Sequence, residues 1–226
     1  MQLTSTIRRA AQANPKAMAT IYKNRQHSWS EFVTRTAKLA GALQKVGMKP
    51  GDRVAMLALN SDRYLEYVFG VLWGGGVIVP MNLRWSPAEN AYSIDDSGTE
   101  IMLVDENFAG IVPAVQEKSS CLKTLIFSGE GETPEGMLNY SDIIEAADPA
   151  EDAGRGGEDL AGIYYTGGTT GFPKGVMLSH RSLYISNLSN CREFCMQDGA
   201  RYLHAAPMFH LADGAGSLAA TFAGGT

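Results

Sequence analysis

Residues 28–59 read "SWSEFVTRTAKLAGALQKVGMKPGDRVAMLAL", and the change of pattern inside this stretch decides the fold. Ser28 and Glu31 stand at capping-box spacing, and Phe32, Leu39, Ala40, Leu43 and Val46 return to one side at helical intervals. Gly47 supplies the residue that tolerates a left-handed conformation just past a helix. Beyond "KPGD", the run "RVAMLAL" is apolar at nearly every position, the pattern of a strand buried on both faces. The unit recurs downstream. A helix over about Asp62 to Trp73 precedes strand "VIVP", helix "SPAENAYSIDDSG" with Pro87 in its first turn precedes strand "EIMLVD", and a helix around "FAGIVPAVQEK" precedes strand "LKTLIFS". Helices and strands alternating at this spacing imply an α/β fold, a mainly parallel sheet flanked by helices.

Residues 1–128 therefore read as one α/β subdomain. Residues 129–159 differ: "GEGETPEG" and "DPAEDAGRGGED" are rich in glycine, proline and acid, and flank one short amphipathic piece, "LNYSDIIEAA". A solvated acidic connection explains them more simply than an acidic docking site. Residues 160–226 form a third segment. At residues 68–80 a helix runs into three glycines and then a strand, whereas "SLAATFAGGT" at 217–226 repeats the helix and the glycines without the strand. The expectation is an incomplete N-terminal domain of a longer protein, with a C-terminal domain absent.

Composition narrows the function classes. The 226 residues hold 19 Lys and Arg against 24 Asp and Glu, a net charge of −5, so no basic stripe is available for a nucleic-acid backbone. "MQLTSTIRRAAQANPK" lacks the apolar region of a signal peptide, and three cysteines do not make a disulfide scaffold. Tyr67 to Leu83, the longest uncharged run, is broken by Gly74, Gly75, Gly76 and Pro80 and is too short for a transmembrane segment. A cytoplasmic, reduced protein is expected.

The chemistry concentrates in "YYTGGTTGFPKG", residues 164–175. Backbone N–H groups converge on an anion only where side chains leave room, which suits Gly167, Gly168 and Gly171. Thr166, Thr169 and Thr170 add hydroxyl donors, Lys174 adds a mobile positive charge for phosphate oxygens, and Pro173 stiffens its approach. A hairpin loop with no ligand is the bland alternative. The Walker phosphate loop is excluded, because it needs Lys-Ser or Lys-Thr entering a helix, and here Gly175 follows Lys174 and leads into the strand-like "GVMLSH".

The longer stretch "YYTGGTTGFPKGVMLSH" closely resembles the phosphate-loop signature of the adenylate-forming superfamily, which comprises acyl-CoA synthetases, firefly luciferases and peptide-synthetase adenylation domains. Upstream, "HSWSEFVTRTAKLAGALQKVGMKPGDRVAML" and "YVFGVLWGGGVIVPMNLRWSPAENAYSIDDSG" are similar to that superfamily's N-terminal region, and downstream "HAAPMFHLADG" resembles its next core motif. The likeness runs from about residue 7 to the end. It implies a two-step reaction. A carboxylate attacks the α-phosphate of ATP to give acyl-AMP and pyrophosphate, and the thiol of CoA then displaces AMP. It further implies that the segment from Thr166 to Lys174 holds the β- and γ-phosphates, that Lys174 is catalytic, and that Thr166 contributes to the shell of a phosphate-bridging Mg2+. Where many members carry serine this chain has Gly167, which removes one hydroxyl donor without implying inactivity.

The same resemblance changes the reading of His210. Alone it is a histidine near a turn; in acyl-CoA synthetases the matching histidine borders the acyl pocket near the reacting carboxylate. Phe209 followed by His210 then points to a fatty or aryl acid rather than an amino acid, with His210 catalytic and both residues binding substrate. The implied partners are a small-molecule carboxylic acid, ATP and CoA, with a homodimer open as an oligomeric state. The residues that grip adenine and ribose are absent from this segment, so the expectation is that the segment alone is inactive. A non-catalytic regulatory module that keeps the loop, or a different ATP-using phosphotransferase, are the alternatives.

Other motifs read as structure. His180, closing the strand after the loop, and His204, in an expected buried strand, are structural. Cys191, Cys195, His204 and His210 have too short a middle spacing for a zinc finger. "GAGSLA" at 214–219 formally fits a dinucleotide fingerprint but lacks a strand running into it, and small residues in a packed helix explain it better.

Overall fold

The computed structural model describes residues 1–167 and 171–226. Helix α1 (Thr4–Ala13) and the antiparallel hairpin of β1 (Met18–Tyr22) and β2 (Arg25–Ser28) come first, ahead of the alternating units. The decisive stretch then folds as read, into helix α2 (Trp29–Lys45) and strand β3 (Arg53–Leu57). The Ser28 hydroxyl accepts from the Glu31 amide while Glu31 Oε2 accepts from the Ser28 amide at 2.7 Å, closing the capping box. Gly47 ends the helix at φ 108°, a conformation a Cβ disfavours.

The remaining units follow the expected alternation: α3 (Asp62–Trp73), β4 (Val77–Pro80), α4 (Pro87–Ser97), β5 (Ile101–Val104), a short 3-10 turn leading into α5 (Val112–Gln116), and β6 (Thr124–Phe127). Within 129–159 the chain adds strand β7 (Leu138–Asn139) and helix α6 (Tyr140–Glu145). Tyr140 and Ile144 are buried, and the Tyr140 hydroxyl donates to Glu66 Oε2 at 2.6 Å, so this acid-rich stretch is tied to the core by its apolar residues. Strand β8 (Leu160–Thr166), strand β9 (Lys174–Ser179), α7 (His180–Glu193) and α8 (Leu211–Phe222) complete the described elements.

The sheet has the order β7-β6-β5-β3-β4-β8-β9, parallel throughout except for β9, which runs antiparallel to β8. Its two faces show why "RVAMLAL" is unbroken. Val54 and Met56 join the core layer under α2 and α3, while Ala55 and Leu57 join the layer under α4 and α5. A period-two strand covered on both sides has no solvent face on which polar residues would be favoured. The Tyr67 hydroxyl bridges two strands at their centre, donating to the Val54 carbonyl at 2.8 Å and accepting from the Val79 amide at 2.9 Å.

The connection after β3 lays α3 on one face and the connection after β4 lays α4 on the other. Helices leaving adjacent parallel strands on opposite faces open a crevice beyond the strands' carboxyl ends, where open α/β sheets bind ligands. His204, expected in a buried strand, lies in a segment, 201–206, that forms no strand in the structure. Its hydrogen bonds go to side chains and to residue 226 instead of to a sheet neighbour.

Candidate active site at the carboxyl end of the sheet

Strand β8 delivers the glycine-threonine stretch to that end of the sheet. Thr166 is the last residue of β8, Lys174 is the first of β9, and the two pair directly in register. The two residues thus end a six-pair antiparallel ladder that fixes both flanks of the stretch. The Thr166 hydroxyl lies 3.4 Å from the Lys174 carbonyl, and both side chains are exposed. Gly168, Thr169 and Thr170 lie outside the described residues. Among the described residues, a Cβ placed on Gly167 or Gly171 would meet nothing within 4 Å, so packing against them does not demand glycine at either position. Bare backbone facing open space is what an anion-binding loop needs. Gly175 has a different reason: a Cβ there would come within 2.8 Å of Ile163 Cγ2 and 3.0 Å of the Tyr165 ring.

For a divalent cation, Thr166 would offer one neutral hydroxyl, and among the described residues no cluster of three histidine, cysteine or acidic side chains gathers. That donor set fits an ion held chiefly by nucleotide phosphates, the usual habit of Mg2+, and not one held by the chain alone.

His210 reaches the same end of the sheet by a separate route. Asn60, just past β3, clamps the segment that precedes it. Its Nδ2 donates to the carbonyls of His204 at 3.0 Å and Ala206 at 2.7 Å, and its Oδ1 accepts from the Met208 amide at 2.8 Å. Phe209 is buried in the core, whereas His210 is exposed at the start of α8, with the two rings 4.4 Å apart. The His210 amide donates to Pro207 O at 3.1 Å, and its carbonyl accepts from Gly214 N at 2.9 Å, which fixes its backbone as the helix cap. β4 separates β3 from β8, so the Asn60 clamp stands about two strand spacings, roughly 10 Å, from the strand carrying Thr166. Among the described residues no hydrogen bond joins His210 to Lys174; the sheet brings their segments to one end.

His204 is not in a strand but is held by a buried carboxylate. Its Nδ1 lies 2.7 Å from Asp213 Oδ2, and Asp213, itself fully buried, also accepts from the Tyr202 hydroxyl at 3.1 Å and the Ser217 hydroxyl at 3.2 Å. This cluster ties the segment before His210 to the first turns of α8. Gly216 belongs to the same packing, because a Cβ there would fall within 2.2 Å of the Tyr202 ring. The glycines of "GAGSLA" sit inside α8, with no strand leading directly into them. His180 is fully buried at the start of α7, and burial lowers its pKa to about 4, so it is neutral at pH 7. A cavity of about 500 Å³ lies between the β1–β2 hairpin and residues 201–204 and is lined by neither Lys174 nor His210.

Asn60 and Asp213 were invisible to pattern reading. Each is a single polar residue whose partners lie far along the chain or depend on how a non-repetitive segment folds back, and a lone Asn or Asp carries no spacing signal.

No helix among the described residues is long and apolar enough to cross a membrane. Residues 7–226 match the family described as AMP-binding enzyme. The chain is 31% identical over 216 residues to 4-hydroxybutyrate-CoA ligase 2 of Metallosphaera sedula, covering 92% of this chain and 39% of that one. It is 35% identical over 187 residues to a long-chain-fatty-acid-CoA ligase of Thermus thermophilus, covering 81% of this chain and 34% of that one. Its fold matches the inhibitor-bound N-terminal domain of FACL13 from Mycobacterium tuberculosis with a TM-score of 0.87 at 26% identity, over 100% of this chain and 56% of that one. The chain therefore spans no more than about two fifths of the length of these curated relatives.

Proposed function

The chain belongs to the AMP-binding enzyme family, and from that premise we propose that the protein containing it is a cytoplasmic ATP-dependent acid-CoA ligase. A carboxylate oxygen attacks the α-phosphorus, the bond to the bridging oxygen of pyrophosphate breaks, and the thiol of CoA then displaces AMP from the acyl-AMP. Two relatives named as CoA ligases of carboxylic acids support the reaction class.

In this reading Lys174 and the loop that Thr166 begins, including Gly167, Gly168, Thr169, Thr170 and Gly171, bind the β- and γ-phosphates. In-line displacement at phosphorus asks the protein mainly for positioning and charge stabilisation. Bound Mg2+ would neutralise part of the phosphate charge, with Thr166 as a ligand from this chain. The exposed His210, capped onto α8, meets the acid with Phe209 behind it, and the acid is fatty or aryl. Residues 1–226 alone are proposed to be inactive. The observation that carries the reading is the register pair Thr166–Lys174, which sets the two ends of the glycine-threonine stretch side by side at the carboxyl end of β8.

The test is a CoA-ligation screen of the full-length protein against carboxylic acids of graded length and aromaticity, following AMP, pyrophosphate and thioester. Acid-dependent AMP formation is expected. Nucleotide cleavage to ADP with a phosphorylated product would replace this reading with a phosphotransferase, and no turnover with any acid would favour a non-catalytic module.

A further inference from the structure

Helix α4 touches both stems of the candidate phosphate loop. On the outgoing stem, the Tyr165 hydroxyl donates to Asp96 Oδ2 at 2.6 Å, and the Tyr165 ring meets the edge of Trp85, just before the helix, at 6.4 Å. On the return stem, Phe172 stacks on Tyr92 with ring centroids 4.7 Å apart and planes at 24°. Tyr92 and Asp96 are four residues apart in the helix and so share a face. Tyr165 immediately precedes Thr166, and Phe172 stands two residues before Lys174.

The helix is a fixed platform. Its first turn is closed by the Ser86–Glu89 capping box, and its last carbonyls accept from Arg53, at 2.6 Å for Ser97 and 2.8 Å for Gly98. Ala91 and Ile94 anchor it to the sheet. The return stem, by contrast, enters β9, the last strand in the order of the sheet, whose Val176 and Met177 are exposed. Phe172 is itself 71% exposed, so its ring has the stack on Tyr92 as an anchor instead of a core.

We propose that Tyr92 and Asp96 are positioning residues of the phosphate loop, holding its return and outgoing stems so that Thr166 and Lys174 present a preformed grip to the β- and γ-phosphates of ATP. The proposal rests on the ligase reading above for the identity of the ligand, and on the geometry alone for the docking of the loop. Aromatic stacking is worth about as much as a three- to tenfold change in an equilibrium. That sets the expected effect of removing one ring.

Two measurements on the full-length protein test it. The first is the rate of tryptic cleavage after the exposed Lys174, read by mass spectrometry under native conditions. Tyr92→Ala should raise it roughly three- to tenfold, Tyr92→Phe should leave it at the wild-type rate because the stack needs only the ring, and Phe172→Ala should reproduce Tyr92→Ala. Since Phe172 is mostly exposed, that variant keeps the test valid if Tyr92→Ala unfolds, which thermal melting would report. The second is carboxylate-dependent pyrophosphate exchange, where the same two alanine variants should raise the KM for ATP roughly three- to tenfold and leave the KM for the acid unchanged. Wild-type cleavage rates in both alanine variants would overturn the docking, and equal rises in both KM values would overturn the positioning role. Absence of exchange in the unsubstituted protein would overturn the ligase reading instead, while cleavage after Lys174 still decides the docking.

Discussion

Asp213 Oδ2 lies 2.7 Å from His204 Nδ1, and the carboxylate that makes this contact is fully buried. Three side chains converge on it, His204, Tyr202 and Ser217, so removing it strips acceptors from several donors at once. We expect Asp213→Ala to cost on the order of 2–3 kcal/mol of stability, at the upper end for lost buried hydrogen bonds. Urea unfolding of Asp213→Ala, His204→Ala and the double variant measures the coupling. Additive losses would show that the pair is not an energetic unit.

Lys174 opens β9 at the mouth of the loop, with its ammonium exposed and its backbone held by the pair with Thr166. In the full-length protein Lys174→Ala should lower acid-dependent pyrophosphate exchange by something like 10²-fold, the usual effect of losing one donor aimed at developing charge. Stability should change little, because the side chain is not packed. Unchanged exchange would take Lys174 out of the mechanism.

His180 gives the acid limb of stability its sign. Burial lowers its pKa from the ordinary 6.5 to about 4, so the unfolded chain binds a proton between those values that the folded chain refuses. The stabilisation is complete above pH 6.5 and is lost as pH falls from 6.5 towards 4. The shift corresponds to ~3 kcal/mol. Chemical denaturation at pH 7, 6, 5 and 4 should show that loss, and His180→Gln should flatten it. A variant as acid-sensitive as the parent would place the effect elsewhere.

A protein made of residues 1–226 alone should bind ATP no more tightly than about millimolar, because the phosphate grip must then supply all of the ~4 kcal/mol that such an affinity represents. Calorimetry reads this directly. Micromolar binding would mean that these residues also form an adenosine pocket.

How much of this was legible without coordinates follows the range of the forces involved. The capping box at Ser28, the helix that Pro87 opens, the helix from Asp62 to Trp73 and the doubly covered strand at Arg53–Leu57 are set by contacts a few residues apart and by burial on known periods, so their patterns survive in the sequence. The glycine-threonine stretch stands out for the same reason, with glycines, hydroxyls and one lysine gathered in a dozen positions. The hairpin of β1 and β2 was not legible, because β2 is the polar run Arg25–Ser28 with no apolar alternation, and the run around His204 was not, since its hydrogen bonds are completed by distant partners.

The sequence by itself therefore determined the alternation of helices and strands and the parallel sheet it implies. Only the tertiary structure decided what stands beside that loop and beside His210. Asn60 reaches residues 204–208, 144 or more positions away, and Asp96 reaches Tyr165 69 positions away, through single polar atoms. Such contacts form because the sheet order places these strand ends side by side, and a lone donor or acceptor leaves no period in the chain from which its partner could be read.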